Sequence, residues 1–286
     1  MGSTMGGFLR SLVAATAVLL AAAAPSSYAG AGQPQVPAPP GPEGAASQLV
    51  ALKAQLMAAD YRGNLAELGR LREAASRLTG DPELGYLAHY WAGFASWRIA
   101  INGASADMGP GDLKAHLQRA VEDFAAAARL REGFADAYAA GSLARGWLGR
   151  FFPSDPAAAR QHFDVAMQLS ARAKALAPTN PRVLWMQGAE YLYLPPSLGG
   201  NTQRAIEVYR QMAAASDAAA PPGSPLPDWG KPEALMSLAY AHLNQNPPDL
   251  AAASAEAHEA LRLVPEWHYV RDILLPMIEA RRKPSQ

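Results

Sequence analysis

From residue 45 onward apolar positions recur every three or four residues, and nowhere do they alternate with period two as a strand would require. Tyr90, Phe94 and Trp97, spaced i, i+4, i+7, share one helical face. The pattern predicts helices over 46–59, 63–78, 83–101, 112–131, 134–149, 155–175, 181–193, 201–215, 231–243, 248–262 and 267–282, hence an all-α chain. Ala, Leu, Arg, Glu and Gln, all strong helix formers, fill these stretches. Asp81-Pro82, Asp155-Pro156, Asn180-Pro181 and Lys231-Pro232 place proline near a helix start, where its missing N–H costs nothing. Thr79-Gly80 and Gly149 lie near helix stops.

The first residues follow another pattern. Leu12 to Ala24 is a continuous apolar run after Arg10, closed by Pro25 and the small-x-small site Ser27-Tyr28-Ala29. Crossing a bilayer takes about 20 apolar residues, so residues 1–29 read as a cleaved secretory signal and not as a membrane anchor. Residues 30–44 are a Pro/Gly-rich linker with too little apolar surface to offset its ordering entropy. The folded unit is then 45–286, expected outside the cytoplasm as a soluble, periplasmic protein with no membrane span.

Composition narrows the chemistry. The absence of cysteine excludes disulfides, thiolate metal sites, a cysteine nucleophile and a lipid anchor on an N-terminal cysteine. With 25 basic and 25 acidic residues spread along the helices, nothing draws the chain to nucleic acid. Signal cleavage would remove Arg10 alone among the charged residues. Neutrality favours recognition by shape and aromatic contact over electrostatic steering.

Three predicted helices carry related phrases: Ala166 to Pro178, Ala205 to Met212 and Ala253 to Pro265, with Ala120-Val-Glu-Asp-Phe124-Ala-Ala-Ala127 sharing their spacing. The last of these has a small residue, a larger one four later and a small one three beyond. The preceding helices place small residues correspondingly: Gly188 before Tyr191, Ser142 after Tyr138, and Ala239. Ala120 to Ser142 and Ala166 to Gly188 are each 22 residues apart, the interval of a repeat of about 34 residues. The uneven intervals fall in turn-like stretches: Arg150 to Pro156, Pro195 to Asn201 and Ala218 to Gly230.

This pattern resembles the tetratricopeptide repeat over roughly 83–282, with 46–79 a further helical pair. Ser170 departs from it where an aromatic is expected, as do Glu132 and Asp217 where proline is expected. The resemblance implies an α-solenoid of antiparallel helical hairpins, a TPR-like superhelix binding peptides or helices in its concave groove. Tyr90, Phe94, Trp97, Trp147, Trp185, Tyr193 and Tyr240 map to the groove side, where they either line a binding surface or fill the core between helices. Arg182 is the mapped cation for a peptide carboxylate. Glu190 maps to a position the repeat keeps small, where a carboxylate needs a partner, and Arg145 on the neighbouring helix is expected to pair with it.

Catalytic signatures are absent. None of His89, His116, His162, His242, His258 and His268 sits in a metal-ligand motif, and no G-x-S-x-G or S-x-x-K marks a nucleophile. Pro195 to Thr202 exposes backbone N–H groups at a helix start but has no Lys where a phosphate loop needs one; its prolines and glycines serve to stop a helix and reverse the chain. The expectation is a non-catalytic scaffold without cofactor or metal, binding a protein or peptide. The alternative is a small-ligand component similar to helical-repeat accessory proteins of solute transporters, in which the loops around 195–201 and 218–230 cap a closed cavity.

Overall fold

The computed structural model describes residues 44–216 and 223–282. The expected signal over 1–29, the expected linker over 30–44 except Gly44, and Asp217 lie outside the described residues. Among the described residues all regular structure is helical: α1 (Ala45–Tyr61), α2 (Leu65–Ser76), α3 (Gly85–Ala104), α4 (Pro110–Leu130), α5 (Ala135–Gly149), α6 (Pro156–Leu176), α7 (Pro181–Tyr193), α8 (Thr202–Ser216), α9 (Lys231–Asn244), α10 (Leu250–Leu263) and α11 (Leu275–Arg282). A 3-10 turn spans Pro196–Leu198, and a π-helical turn over Tyr269–Leu274 leads into α11.

Helix ends follow the capping chemistry. The side chains of Asn64, Asp155, Asn180 and Asp249 each accept a backbone N–H of the first turn. Pro110, Pro156, Pro181 and Pro232 stand in the first turns of α4, α6, α7 and α9. Asp81-Pro82 differs from expectation. Asp81 Oδ1 accepts from the N–H groups of Glu83 and Leu84 in a turn, and α3 starts only at Gly85. A Cβ on Gly85 would lie 2.5 Å from the Thr79 carbonyl oxygen, so this close approach requires glycine. The expected helix 267–282 is likewise not α-helical throughout. Pro276 offers no N–H and its ring crowds the carbonyl four residues back, and the preceding turn widens into the π-turn.

The most extensive helix contacts are α3 with α4, α5 with α6, α7 with α8 and α9 with α10, each a sequential hairpin. A second set joins α1 to α3, α3 to α5 and α5 to α7, so these odd-numbered helices stand side by side. Inside two hairpins an aromatic ring of the second helix lies on a glycine of the first. A Cβ on Gly93 would be 3.0 Å from the Phe124 ring, and one on Gly188 would be 2.3 Å from Tyr209. In the α5–α6 hairpin, where Ser170 replaces the aromatic, Ser142 Oγ donates to the Ala166 carbonyl at 2.8 Å. The small-and-large spacing in the sequence is therefore the footprint of hairpin crossings.

The main core draws on α1 to α5, α7, α8, Trp229 and one side of α9, a second core joins α9 to α11, and a smaller one packs α6 against α5 and α7. The N-terminal helix meets the C-terminal part of the chain directly: Tyr61 packs on Trp267, ring centroids 4.9 Å apart, and donates a hydrogen bond to Glu233.

Candidate functional site

Helix α3 places four large rings at the centre of the molecule. Tyr90, Trp91, Phe94 and Trp97 are all buried, and the helix is enclosed on nearly every side. Trp185 of α7 meets Trp97 at 5.5 Å between centroids, so the sequence-predicted residues Tyr90, Phe94, Trp97 and Trp185 do converge. They do not form an open wall. Gly223–Gly230, a stretch with a turn and bends and no helix or strand, lies over them and inserts Trp229, which is 5.4 Å from Trp185 and 6.1 Å from Phe94. The expected exposed aromatic surface is thus corrected at these positions, because a distant part of the same chain covers it.

Polar groups hold this stretch from three helices. Lys53 Nζ of α1 donates to the carbonyls of Ser224 at 2.7 Å and Leu226 at 3.3 Å, and pairs with Asp228 Oδ2 at 2.5 Å. Trp91 Nε1 of α3 donates to the Pro225 carbonyl at 2.9 Å. Arg182 of α7 donates through Nη1 to the Trp229 carbonyl at 3.2 Å and through Nε to Asp136 at 2.6 Å. Trp229 Nε1 in turn donates to the Tyr90 hydroxyl at 3.2 Å, and burial pushes the ionisation of that phenol far up. Trp185 Nε1 donates to Ser237 Oγ at 2.8 Å, whereas Trp97 Nε1 is buried without a hydrogen-bond partner among the described residues.

Two further expectations are revised. Arg182 is already engaged by Asp136 and a main-chain carbonyl, so it is not a free cation for a peptide carboxylate. Arg145 does not pair with Glu190. The short α6–α7 connection brings Lys174 Nζ within 2.6 Å of Glu190 Oε2, whereas Arg145 Nε is buried without a hydrogen bond and burial lowers that guanidinium's proton affinity. The remaining predicted aromatics lie apart from the central cluster. Trp147 stacks under Arg150, and Tyr193 packs against Tyr240 at 6.2 Å, with Tyr193 38% exposed.

Beside the stretch, an open-mouthed cleft of about 350 Å³ is lined by Lys53, Tyr61, Asp228, Trp229 and Lys231. Next to it, Tyr61 donates to Glu233 Oε1 at 2.6 Å, while Glu233 Oε2 is buried without a partner. Burial pushes the Glu233 carboxyl above the usual range, against the opposing pull of the Tyr61 hydrogen bond. Asp60 accepts from Arg98 Nε at 2.6 Å and from Asn102 at 2.8 Å, which binds α1 to α3. No group of His and carboxylates among the described residues has metal-binding geometry, and no described helix is long and apolar enough to cross a membrane.

Sequence reasoning missed Lys53, Trp91, Asp136 and Trp229. Trp229 carried a signal: a tryptophan in a Pro-rich stretch is expensive to leave in water and implies a slot elsewhere. Compared with protein-family models, curated proteins and solved structures, the chain matches none of them.

Proposed function

We propose that this chain is a non-catalytic, tetratricopeptide-like helical scaffold that binds a protein or peptide partner on the inner face formed by α1, α3 and α7. The observation that carries this reading is the way Lys53, Trp91 and Arg182, from three helices far apart in sequence, engage four main-chain carbonyls of one non-helical stretch. Carbonyl recognition of non-helical chain with an aromatic anchor in a slot is the chemistry of peptide binding. The recurring glycine-on-aromatic crossings and the side-by-side odd helices support a solenoid of hairpins. The N-terminal pattern supports export to the periplasm.

The test is recovery of partners from an envelope extract by the tagged protein, with Trp185→Ala as control and its fold checked by circular dichroism. Partners retained by the parent chain and lost by Trp185→Ala support the reading; the same partners at the same yield overturn it. The small-ligand alternative rests on the cleft of about 350 Å³ beside Lys53 and Tyr61, which has room for a compact molecule.

A further inference from the structure

We propose that Gly223–Gly230 is a resident ligand: it occupies in cis a site that takes the same kind of segment from a partner, a bent, non-helical peptide of the Pro-x-Pro-Asp-Trp type. This deepens the peptide-binding reading and rests on it. Among the described residues the sole hydrogen bond within the stretch is Leu226 N–H to Ser224 Oγ at 3.2 Å, so its shape is imposed by the helices around it. Lys53, Trp91 and Arg182 all bond its carbonyls, and of the three only Lys53 also meets a side chain, Asp228, so most of the grip is open to any chain with carbonyls in the same places.

Selectivity comes from two adjacent positions. Asp228 meets the Lys53 ammonium, which three acceptors of the stretch hold in place. Trp229 enters a slot between Phe94 and Trp185, with its N–H on the Tyr90 hydroxyl, so Phe or Leu there would leave that hydroxyl without its donor. Pro227, which is buried, removes an N–H group that burial would otherwise strand, and with Pro225 it stiffens the chain before it binds. The Asp228 end of the stretch borders the open cleft, and the Asp228 side chain is 36% exposed, so exchange with an incoming chain can start there.

The probe is a fluorescein-labelled peptide with the sequence of residues 223–230, read by anisotropy against the full chain. Asp228→Ala/Trp229→Ala vacates the site. That variant is expected to bind the peptide at least tenfold more tightly than the parent chain, and added Lys53→Ala is expected to weaken binding about tenfold. A peptide with Ala-Ala in place of Asp-Trp is expected not to bind. Failure of the vacated chain to bind the peptide, with its helical circular dichroism intact, overturns the proposal. If partner recovery still depends on Trp185 in that case, the resident-ligand inference alone has failed. Should the vacated chain lose its fold, hydrogen exchange of the parent chain decides: release of the Leu226 and Trp229 amides well before those of α3 supports the proposal, and exchange of both only on global unfolding overturns it.

Discussion

Glycine to alanine at two helical positions is expected to act with opposite signs. In a helix interior the change favours folding by about 1 kcal/mol. At Gly146 of α5, nothing lies within 4 Å of the added Cβ, so that gain is realised. At Gly188 of α7 the added carbon would stand 2.3 Å from Tyr209 Cε1 and 2.7 Å from both Cδ1 and Cζ. Favourable carbon contacts begin near ~3.5 Å, so the ring would have to retreat by more than ~1 Å from a site where it is only 2% exposed. Overpacking of this kind costs about 1–3 kcal/mol and exceeds the helix-propensity gain. The propensity gain is common to both, so the two alanine variants should differ by the overpacking cost, roughly 1–3 kcal/mol, in urea unfolding followed by circular dichroism, with Gly146→Ala above the parent and Gly188→Ala below it. Combining Gly188→Ala with Tyr209→Leu should recover part of the loss as a positive coupling. Equal stability of the two single variants would refute the crossing of α7 and α8 at Gly188.

Glu233→Gln is expected to raise the melting temperature relative to the parent more at pH 8 than at pH 4. A carboxyl whose folded proton affinity is raised favours folding while protonated, and that contribution is lost as pH rises from the ordinary carboxyl value of 4.5 through the raised one; a pH-independent difference would show that Glu233 is not buried as described. Arg182→Ala should destabilise by about 3 kcal/mol in urea unfolding, because it strands the buried Asp136 carboxylate, which keeps only the Asn180 hydrogen bond. Lys174→Ala should cost well under 1 kcal/mol in the same assay, since its pair with Glu190 is partly exposed and screened by water.

The helices were legible in the sequence because their causes are local. Apolar spacing, Asn and Asp caps and first-turn prolines act within a few residues, and α7 falls at 181–193 as the pattern expects. The crossings were legible only in part: the small-residue spacing marked Gly188 and the helix carrying Tyr209, but the interval between them fitted no regular repeat and Gly93 gave no signal. The fate of the aromatics was not. Helical periodicity identifies one face for Tyr90, Phe94 and Trp97 but is silent on what covers it, and the cover lies 139 residues from Tyr90. Lys53 shows the same limit: its acceptors are 171 to 175 residues away, on a stretch that local rules read only as an insertion. Arg145 and Glu190 failed in a different way. The repeat mapping fixed their helices and left their rotation open, and Lys174 stood nearer.

A resident segment changes what the inner face asks of a partner. Tethered to the same chain, Gly223–Gly230 competes at a local concentration on the order of 1 mM. A free peptide at about 1 µM would therefore need roughly a thousandfold better intrinsic binding to displace it, about 4 kcal/mol. One further buried aromatic or charge-assisted contact supplies a large part of that difference, and the cleft beside Lys53, Tyr61 and Lys231 borders the Asp228–Trp229 end of the segment, where such a contact would fall. The chain's neutrality fits this arrangement, because long-range attraction would raise the encounter rate of any charged peptide without distinguishing those that complete the cleft from those that do not. Selection by displacement instead rejects every segment that merely equals the resident one. A partner that does displace it should carry an acidic–Trp pair and continue past the tryptophan into the cleft.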